Sequence, residues 1–367
     1  MPDQRMLKLA EVLVRYSAAV QPGEWVAIQG DVLALPLITE VYRLVTRAGG
    51  LATVQISADE LDEAFFSEAN EDQLAWVAPT AALLNEQADV SIRIVAPSNT
   101  RALSSIDPAK PRAFQQARRA MQHQRMQRAA AGTLRWVLTQ FPCAALAQEA
   151  DMSLRDYEDF VYAATFADQP DPVASWLTVR NSQQHLVDWL AGKREVRVQG
   201  PDIDMTLSIN GRTFINSDGR RNMPSGEIYT GPVEHSVNGW VKFAYPAIRS
   251  GYEVEGVEFE FQDGKIVNAR ARKNESYLLS QLDSDVGARY LGEFAVGTNY
   301  GIQRFTKSIL YDEKIGGTLH MAVGAGYPET GSINQSSIHW DFICDMRHES
   351  AIWVDGELFY KDGQFQI

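Results

Sequence analysis

Apolar and polar positions in the first half of the chain predict helices that alternate with short strands. Apolar residues at helical spacing predict a helix over residues 3–20 and a second helix that ends at Gly49-Gly50. Further helices are predicted at about 110–131 and in the stretch that ends near Gly192. Continuous or alternating apolar runs predict strands at 25–30, 51–57, 89–97 and 133–141. This alternation is typical of an α/β fold with a mostly parallel sheet and helices on its faces.

The pattern changes after residue 192, where alternating runs are separated by Asn-Gly and Asp-Gly pairs. These pairs occur at Asn210-Gly211, Asp263-Gly264, Asp355-Gly356 and Asp362-Gly363. Such dipeptides between alternating runs are typical of antiparallel hairpins. One helix is predicted in this part, at 276–290. The sequence therefore predicts an N-terminal α/β domain at 1–192 and a β-rich α+β C-terminal domain at 193–367.

Composition and charge limit the possible partners. The chain has 367 residues, 45% of them hydrophobic, and a formal net charge of −13. This acidic balance argues against nucleic acid or an anionic membrane as a partner. The basic run Arg112–Arg135 has little aromatic interleaving and reads as a solvated helix face, with a regulatory nucleic-acid contact as the alternative.

Two features indicate a cytoplasmic protein. The only cysteines, Cys143 and Cys344, are far apart in sequence, which fits a reducing compartment rather than a disulfide framework. The N-terminal segment is amphipathic and lacks the apolar core of a signal peptide, and no stretch approaches the roughly 20 apolar residues of a membrane span.

The stretch at 316–341 holds the densest group of potential metal ligands. It contains His320, Tyr327, His339 and Asp341, although the whole chain has only six histidines. In an extended segment the side chains of His339 and Asp341 point to the same face. With His320 they form a set of two histidines and one carboxylate, which suits mononuclear non-haem iron.

Two glutamates extend this set. Glu227 follows Gly226 in NMPSGEIYTGP, and Glu293 lies in the apolar run LGEFAVGTN. A carboxylate in apolar surroundings is costly to bury unless it is paired or binds a metal. Three carboxylates and two imidazoles suit two divalent ions better than one. The run Asp312-Glu313-Lys314 could add a base or a supporting group.

Each of these residues also has a purely structural interpretation. Glu227 could be a turn residue, Glu293 could lie on a half-exposed element, and His320 could be a hydrogen-bonded core histidine. Tyr327 could serve packing alone, while His235 could line a pocket. The functional interpretation depends on the set as a whole.

The motifs that carry these residues resemble the M29 family of metallo-aminopeptidases. The resemblance covers nearly all of the C-terminal domain, and it extends more loosely to the N-terminal one. It runs through NMPSGEIYTGP, LGEFAVGTN, DEKIGGTLHMAVG, GYPETGSINQSSIHWDFICDM, PSNTRALSSIDPAK and DPVASW.

The resemblance implies an enzyme that removes N-terminal residues, often apolar ones, from peptides. It implies a homodimer with two divalent metal ions per chain, which could be zinc, cobalt or magnesium. The implied metal ligands are Glu227, Glu293, His320, Tyr327, His339 and Asp341. Glu293 and Tyr327 are also the candidate catalytic residues, Glu293 as a bridge or proton acceptor and Tyr327 as a donor to the developing oxyanion.

Two other hypotheses stay open. Ring-cleaving dioxygenases of related fold would use one iron held by His320, His339 and Asp341. A non-catalytic binding protein could have kept the fold and its residues.

Overall fold

A computed structural model describes residues 3–367. It forms two compact units, one containing the residues up to Ser175 with Gly219–Pro224, the other Trp176–Asp218 with Ser225–Ile367. The first unit thus includes a short segment from later in the chain. That two independently folding domains meet at residue 192 remains a prediction.

The first unit is built from helices and parallel strands. Its helices are α1 (Gln4–Glu11), α2 (Leu35–Arg47), α3 (Asp59–Glu68), α4 (Glu71–Ala75), α5 (Pro79–Gln87), α6 (Ala109–Ala117), α7 (Arg119–Ala130), α8 (Ala144–Glu149) and α9 (Leu154–Ala164). A π-helical segment, Val12–Ser17, continues α1, and a 3-10 turn, Val32–Ala34, precedes α2. Its strands in this part of the chain are β1 (Trp25–Asp31), β2 (Leu51–Ser57), β3 (Val90–Val95) and β4 (Arg135–Gln140).

The second unit is rich in strands. It contains most of helix α10 (Pro172–Leu190), and after it come α11 (Glu275–Leu282), α12 (Ile309–Asp312) and a 3-10 turn, Pro328–Thr330. The strands that follow α10 are β5 (Glu195–Gly200), β6 (Ile203–Ser208), β7 (Ile215–Ser217), β8 (Asn222–Met223), β9 (Glu227–Thr230), β10 (Asn238–Lys242), β11 (Ala247–Arg249), β12 (Tyr252–Val254), β13 (Glu258–Gln262), β14 (Lys265–Arg270), β15 (Leu291–Gly297), β16 (Thr318–Gly324), β17 (His339–Asp345), β18 (Ala351–Val354), β19 (Glu357–Lys361) and β20 (Gln364–Phe365). Of these, β8 belongs to the first unit.

The first unit has the predicted parallel sheet, in the order β2-β1-β3-β4-β8. All of its neighbouring strands run parallel. Strand β8, which the sequence did not predict, pairs Asn222 with Leu138 and Met223 with Thr139. The predicted α/β fold is confirmed.

The second unit is strand-rich, as predicted, and contains two large antiparallel sheets and a small hairpin. The sheets have the orders β14-β13-β10-β6-β5-β18-β19-β20 and β17-β16-β15-β9-β7, and the hairpin is β11-β12. Apolar side chains of both large sheets share one core, in which the rings of Phe259 and Phe342 lie 5.0 Å apart. Because this core covers one face of the sheet β17-β16-β15-β9-β7, the other face of that sheet is available for polar residues.

Two helix predictions differ from the structure. The predicted helix at 110–131 is two helices, because Arg118 leaves helical geometry between α6 and α7. The predicted helix at 276–290 ends with α11 at Leu282. Beyond its end the chain packs closely against a loop at Gly287, where a Cβ atom would lie 2.5 Å from the carbonyl oxygen of Gln335.

Two arginines of the basic run bind backbone carbonyls within the first unit. Arg128 donates to the carbonyl oxygens of Asn85, Ala88 and Thr133, each at 2.8 Å. Arg118 donates to that of Trp76 at 2.8 Å. These contacts give both guanidinium groups a structural role, because they satisfy carbonyls at the ends of helices α4 and α5. No helix in the described part of the chain is long and apolar enough to span a membrane.

Candidate metal centre

The register of the strands places the candidate residues that they carry on one face of the sheet β17-β16-β15-β9-β7. Glu293 pairs with Ala322, which pairs with Asp341 on the other side. His339 lies opposite Gly324, and Glu227 lies opposite Gly297. Paired residues share a face, and the side-chain period of two keeps His320 on the same face as Ala322. The alternate residues, such as Phe342 and Met321, enter the core.

The candidate ligands lie in two groups that adjoin at Glu293. The ligand atoms of Glu227, Glu313 and His320 lie within 4.8 Å of one another, and so do those of Glu293, His339 and Asp341. Glu293 faces both imidazoles, since its carboxylate oxygens lie 3.1 Å from His339 Nε2 and 3.9 Å from His320 Nε2. His320 Nε2 is also 3.4 Å from Glu227 Oε2, and His339 Nε2 is 3.5 Å from Asp341 Oδ1.

The donor atoms fit divalent cations. Among the described residues, Glu227 Oε2 and Asp341 Oδ1 are buried and make no hydrogen bond. Buried carboxylate oxygens are costly to leave without a partner. Both point toward an imidazole nitrogen, and a set of carboxylate oxygens and imidazole nitrogens suits zinc, cobalt and related ions.

A backbone contact orients His339. Its Nδ1 lies 2.7 Å from the carbonyl oxygen of Ala325, so Nδ1 carries a hydrogen and donates it there, which leaves Nε2 facing Glu293 and Asp341. The guanidinium of Arg249 donates to the carbonyl oxygen of His339 at 2.9 Å, which fixes the backbone of the same residue. Neither contact was predictable from the local sequence pattern.

The charges that face one another shift the pKa values of the two histidines and of Glu293. Burial lowers the pKa of His320, but the facing carboxylates of Glu293 and Glu227 raise the pKa to about 9. Burial also opposes charge on His339, yet Asp341 and Glu293 hold its pKa well above the usual value. Burial raises the pKa of Glu293, but its close contact with His339 and the charge of His320 more than offset this and lower it. When only carboxylates face them, the two imidazoles are therefore protonated and positively charged.

Tyr327 lies at the edge of the cluster. Its ring centroid is 5.1 Å from that of His339 and 5.4 Å from that of Tyr229. Burial, together with the charges of Glu293 and Asp341, raises the pKa of its phenol. The hydroxyl is consequently a donor rather than an anion in this setting.

Glu313 and Lys314 are the residues that sequence reasoning placed least well. Glu313 is a member of the first group, and its burial raises its pKa to about 7. Lys314 is fully buried and contacts Glu227 and Glu313. The available signal was the charged run DEK directly before the strand of His320. His235, in contrast, packs edge-on against Tyr290 and belongs to neither group.

The turn after β16 depends on a glycine. Gly324 has φ +95°, and a Cβ atom there would lie 2.1 Å from the carbonyl oxygen of Ile338. We expect Gly324→Ala to lower the free energy of unfolding by roughly 3 kcal/mol, because backbone strain and overpacking add. Gly211→Ala is the control, since Gly211 has φ +74° and open space around it, with an expected cost of about 1 kcal/mol. Urea denaturation of both variants measures this difference, and equal losses would contradict the steric argument.

Comparisons with known proteins identify the family of the chain. The model of the family described as thermophilic metalloprotease (M29) matches residues 2–365. The chain is 27% identical to Aminopeptidase 2 of Geobacillus stearothermophilus, covering 99% of this chain and 95% of the relative. It is 26% identical to Aminopeptidase T of Thermus thermophilus, covering 97% and 95%, and 24% identical to Aminopeptidase AmpS of Bacillus subtilis, covering 98% and 93%.

A solved structure supports the fold. Wild-type AmpT from Thermus thermophilus superposes with a TM-score of 0.86 at 22% identity and covers 99% of both chains. The resemblance inferred from the sequence motifs is confirmed by the match along the whole chain. The chain therefore belongs to the M29 family of thermophilic metalloproteases and is a peptidase.

Proposed function

We propose that the enzyme is an aminopeptidase with two divalent metal ions, held by Glu227 and His320 on one side and by His339 and Asp341 on the other. Glu293 lies between them and would contact both ions. The observation that carries this proposal is the pair of ligand groups, each within 4.8 Å, with Glu293 facing one histidine of each group. Zinc, cobalt and magnesium are the candidate ions.

Bound divalent ions would lower the pKa of water and offset negative charge on the attacked carbonyl. The protein's own groups then have separate tasks. Glu293 is positioned to accept a proton from water, since it is buried next to both histidines. Tyr327 keeps its phenolic hydrogen, because its pKa is raised. We assign it the role of a further ligand or a hydrogen-bond donor to the developing oxyanion.

The substrate proposal is a peptide with a free α-amine and an apolar first residue. Leucyl, alanyl, lysyl and glutamyl anilides, each with its N-acetylated counterpart, would be offered to zinc-, cobalt- and magnesium-loaded enzyme. We expect cleavage of the free leucyl compound and none of its acetylated form, with activity lost on chelation. No cleavage of any compound by fully loaded enzyme would refute the proposal.

The dioxygenase hypothesis receives no support from the geometry. Its three ligands would be His320, His339 and Asp341, but the two histidines belong to different groups. One iron per chain and oxygen uptake with a hydroxylated ring would favour it nonetheless. A wild-type protein without turnover, whose metal content is unchanged in Glu227→Ala, would favour the non-catalytic alternative.

We also propose that the enzyme is cytoplasmic and forms a homodimer. Both cysteines are buried thiols, which fits a reducing compartment. Support for a dimer comes from strand β2, which lies at the edge of the parallel sheet and exposes Leu51, Val54 and Ile56 by 40–63%. Exposed apolar edge strands are typical interaction sites.

A charged residue on this edge would separate the subunits. We expect Val54→Lys to be monomeric in light scattering after gel filtration, because burying the ammonium in an interface is unfavourable. Val286→Lys is the control, since Val286 is 93% exposed, and it should remain dimeric. A dimeric Val54→Lys protein would place the interface elsewhere, and a monomeric wild type would refute the dimer.

A further inference from the structure

Lys314 is a completely buried lysine next to the proposed metal ligands. Its side chain is 0% exposed, and Nζ lies 3.7 Å from Glu227 Oε1. It also forms an ion pair with Glu313. A buried ammonium is costly unless carboxylates pair with it, so these two contacts account for its charge.

Backbone contacts hold Lys314 in place independently of its side chain. Its N–H donates to the carbonyl oxygen of Tyr311 at 3.0 Å, and its carbonyl accepts from Asn299 N at 3.0 Å. The next residue, Ile315, passes so close to Gly297 that a Cβ atom there would lie 2.2 Å from its carbonyl oxygen. The path of the backbone therefore places the ammonium group of Lys314 next to the carboxylates of Glu227 and Glu313.

This arrangement gives the two oxygens of Glu227 different neighbours. Oε1 faces the ammonium of Lys314, while Oε2 faces His320 Nε2 at 3.4 Å and makes no hydrogen bond. Glu313 directs its Oε1 to the same ammonium. One oxygen of Glu227 is thus free for a cation beside His320, whereas Glu313 is engaged.

We propose that Lys314 is a positioning residue that keeps Glu313 from binding metal and occupies Oε1 of Glu227, so that only Oε2 of Glu227 is left for the ion. The inference rests on the proposed metal site and deepens it. Of the three residues in the first group, only Glu227 and His320 would then ligate. The positive charge of Lys314 also limits how strongly a cation is held, since like charges repel in a buried setting.

The test measures metal binding rather than turnover. Calorimetric titration of the chelator-treated, full-length protein with Zn²⁺ gives the Kd, and the visible absorption of the Co²⁺ form reports the ligands. We expect Glu227→Gln to weaken binding by about 100-fold and Glu313→Gln to change it by less than about threefold. Lys314→Met removes the charge at similar length, so it should tighten binding by about tenfold or more and alter the Co²⁺ spectrum.

A double variant tests whether the spectral change in Lys314→Met comes from the carboxylate of Glu313. Lys314→Met with Glu313→Gln should return the Co²⁺ spectrum to that of the wild type, because the freed carboxylate is absent. Lys265→Met, at an exposed position on β14, controls for net charge and should bind zinc as the wild type does.

Two results would overturn the inference. One is a loss of affinity in Glu313→Gln comparable to that in Glu227→Gln, which would make Glu313 a ligand. The other is weaker binding in Lys314→Met. If that variant does not fold, the comparison of Glu313→Gln with Glu227→Gln decides alone. Unchanged binding in Glu227→Gln would instead refute the proposed metal site itself.

Discussion

Glu293→Gln is expected to abolish peptidase activity and to reduce the metal content of the protein. Among the described site residues, its carboxylate is the only one within 4 Å of both imidazoles, at 3.1 Å and 3.9 Å. Glutamine has nearly the same shape but no charge, so neither proposed ion would keep its shared ligand. We expect kcat/KM on a leucyl anilide to fall at least about 10³-fold and zinc to fall from two ions per chain to one or fewer.

The matched control is Glu260→Gln, which removes a carboxylate from an exposed position on β13. It should leave both activity and metal content as in the wild type. Circular dichroism and thermal unfolding would establish that Glu293→Gln is folded. Full metal content together with wild-type kcat/KM would show that Glu293 neither joins the ions nor takes part in the reaction.

The local pattern of the chain was sufficient to predict that two of the site residues share a face. His339 and Asp341 share a face because a strand has a period of two, and the register confirms this.

Features that depend on distant parts of the chain were not predictable. Strand β8 joins the parallel sheet although its residues follow more than eighty positions after β4. The two-residue length of β8 leaves no periodic signal. Gly287 lies close to the loop at Gln335, a contact between residues almost fifty positions apart that the local pattern does not reveal.

The site shows the same division. The residue types and the apolar run around Glu293 indicated a buried carboxylate, and Glu293 is buried. The burial of Lys314 gave no such signal, because a lysine within a charged run is usually exposed. Its position follows from the approach of Ile315, which precedes β16, to Gly297 at the end of β15.

Removal of metal is expected to make the stability of the protein fall as pH rises from 6.5 to 9. The pKa of His320 is raised to about 9, above the ordinary 6.5 of an unfolded histidine. A raised histidine pKa stabilises the folded state fully below pH 6.5, and this contribution is lost as pH rises through 9. The loss is on the order of 3 kcal/mol for His320, and His339 shifts in the same direction.

Metal-loaded enzyme should behave differently, because ligation requires neutral imidazoles and replaces the proton with a cation. Urea unfolding of chelator-treated and zinc-loaded protein at pH 6.5, 8 and 9.5 measures both trends. Zinc should therefore add more stability at pH 9.5 than at pH 6.5, and its binding should release protons below pH 9. In chelator-treated His320→Gln the decline should be smaller, since one of the two raised groups is gone. Constant or rising stability of the chelator-treated wild type over this interval would mean that the imidazoles are not held as cations by Glu227, Glu293 and Asp341.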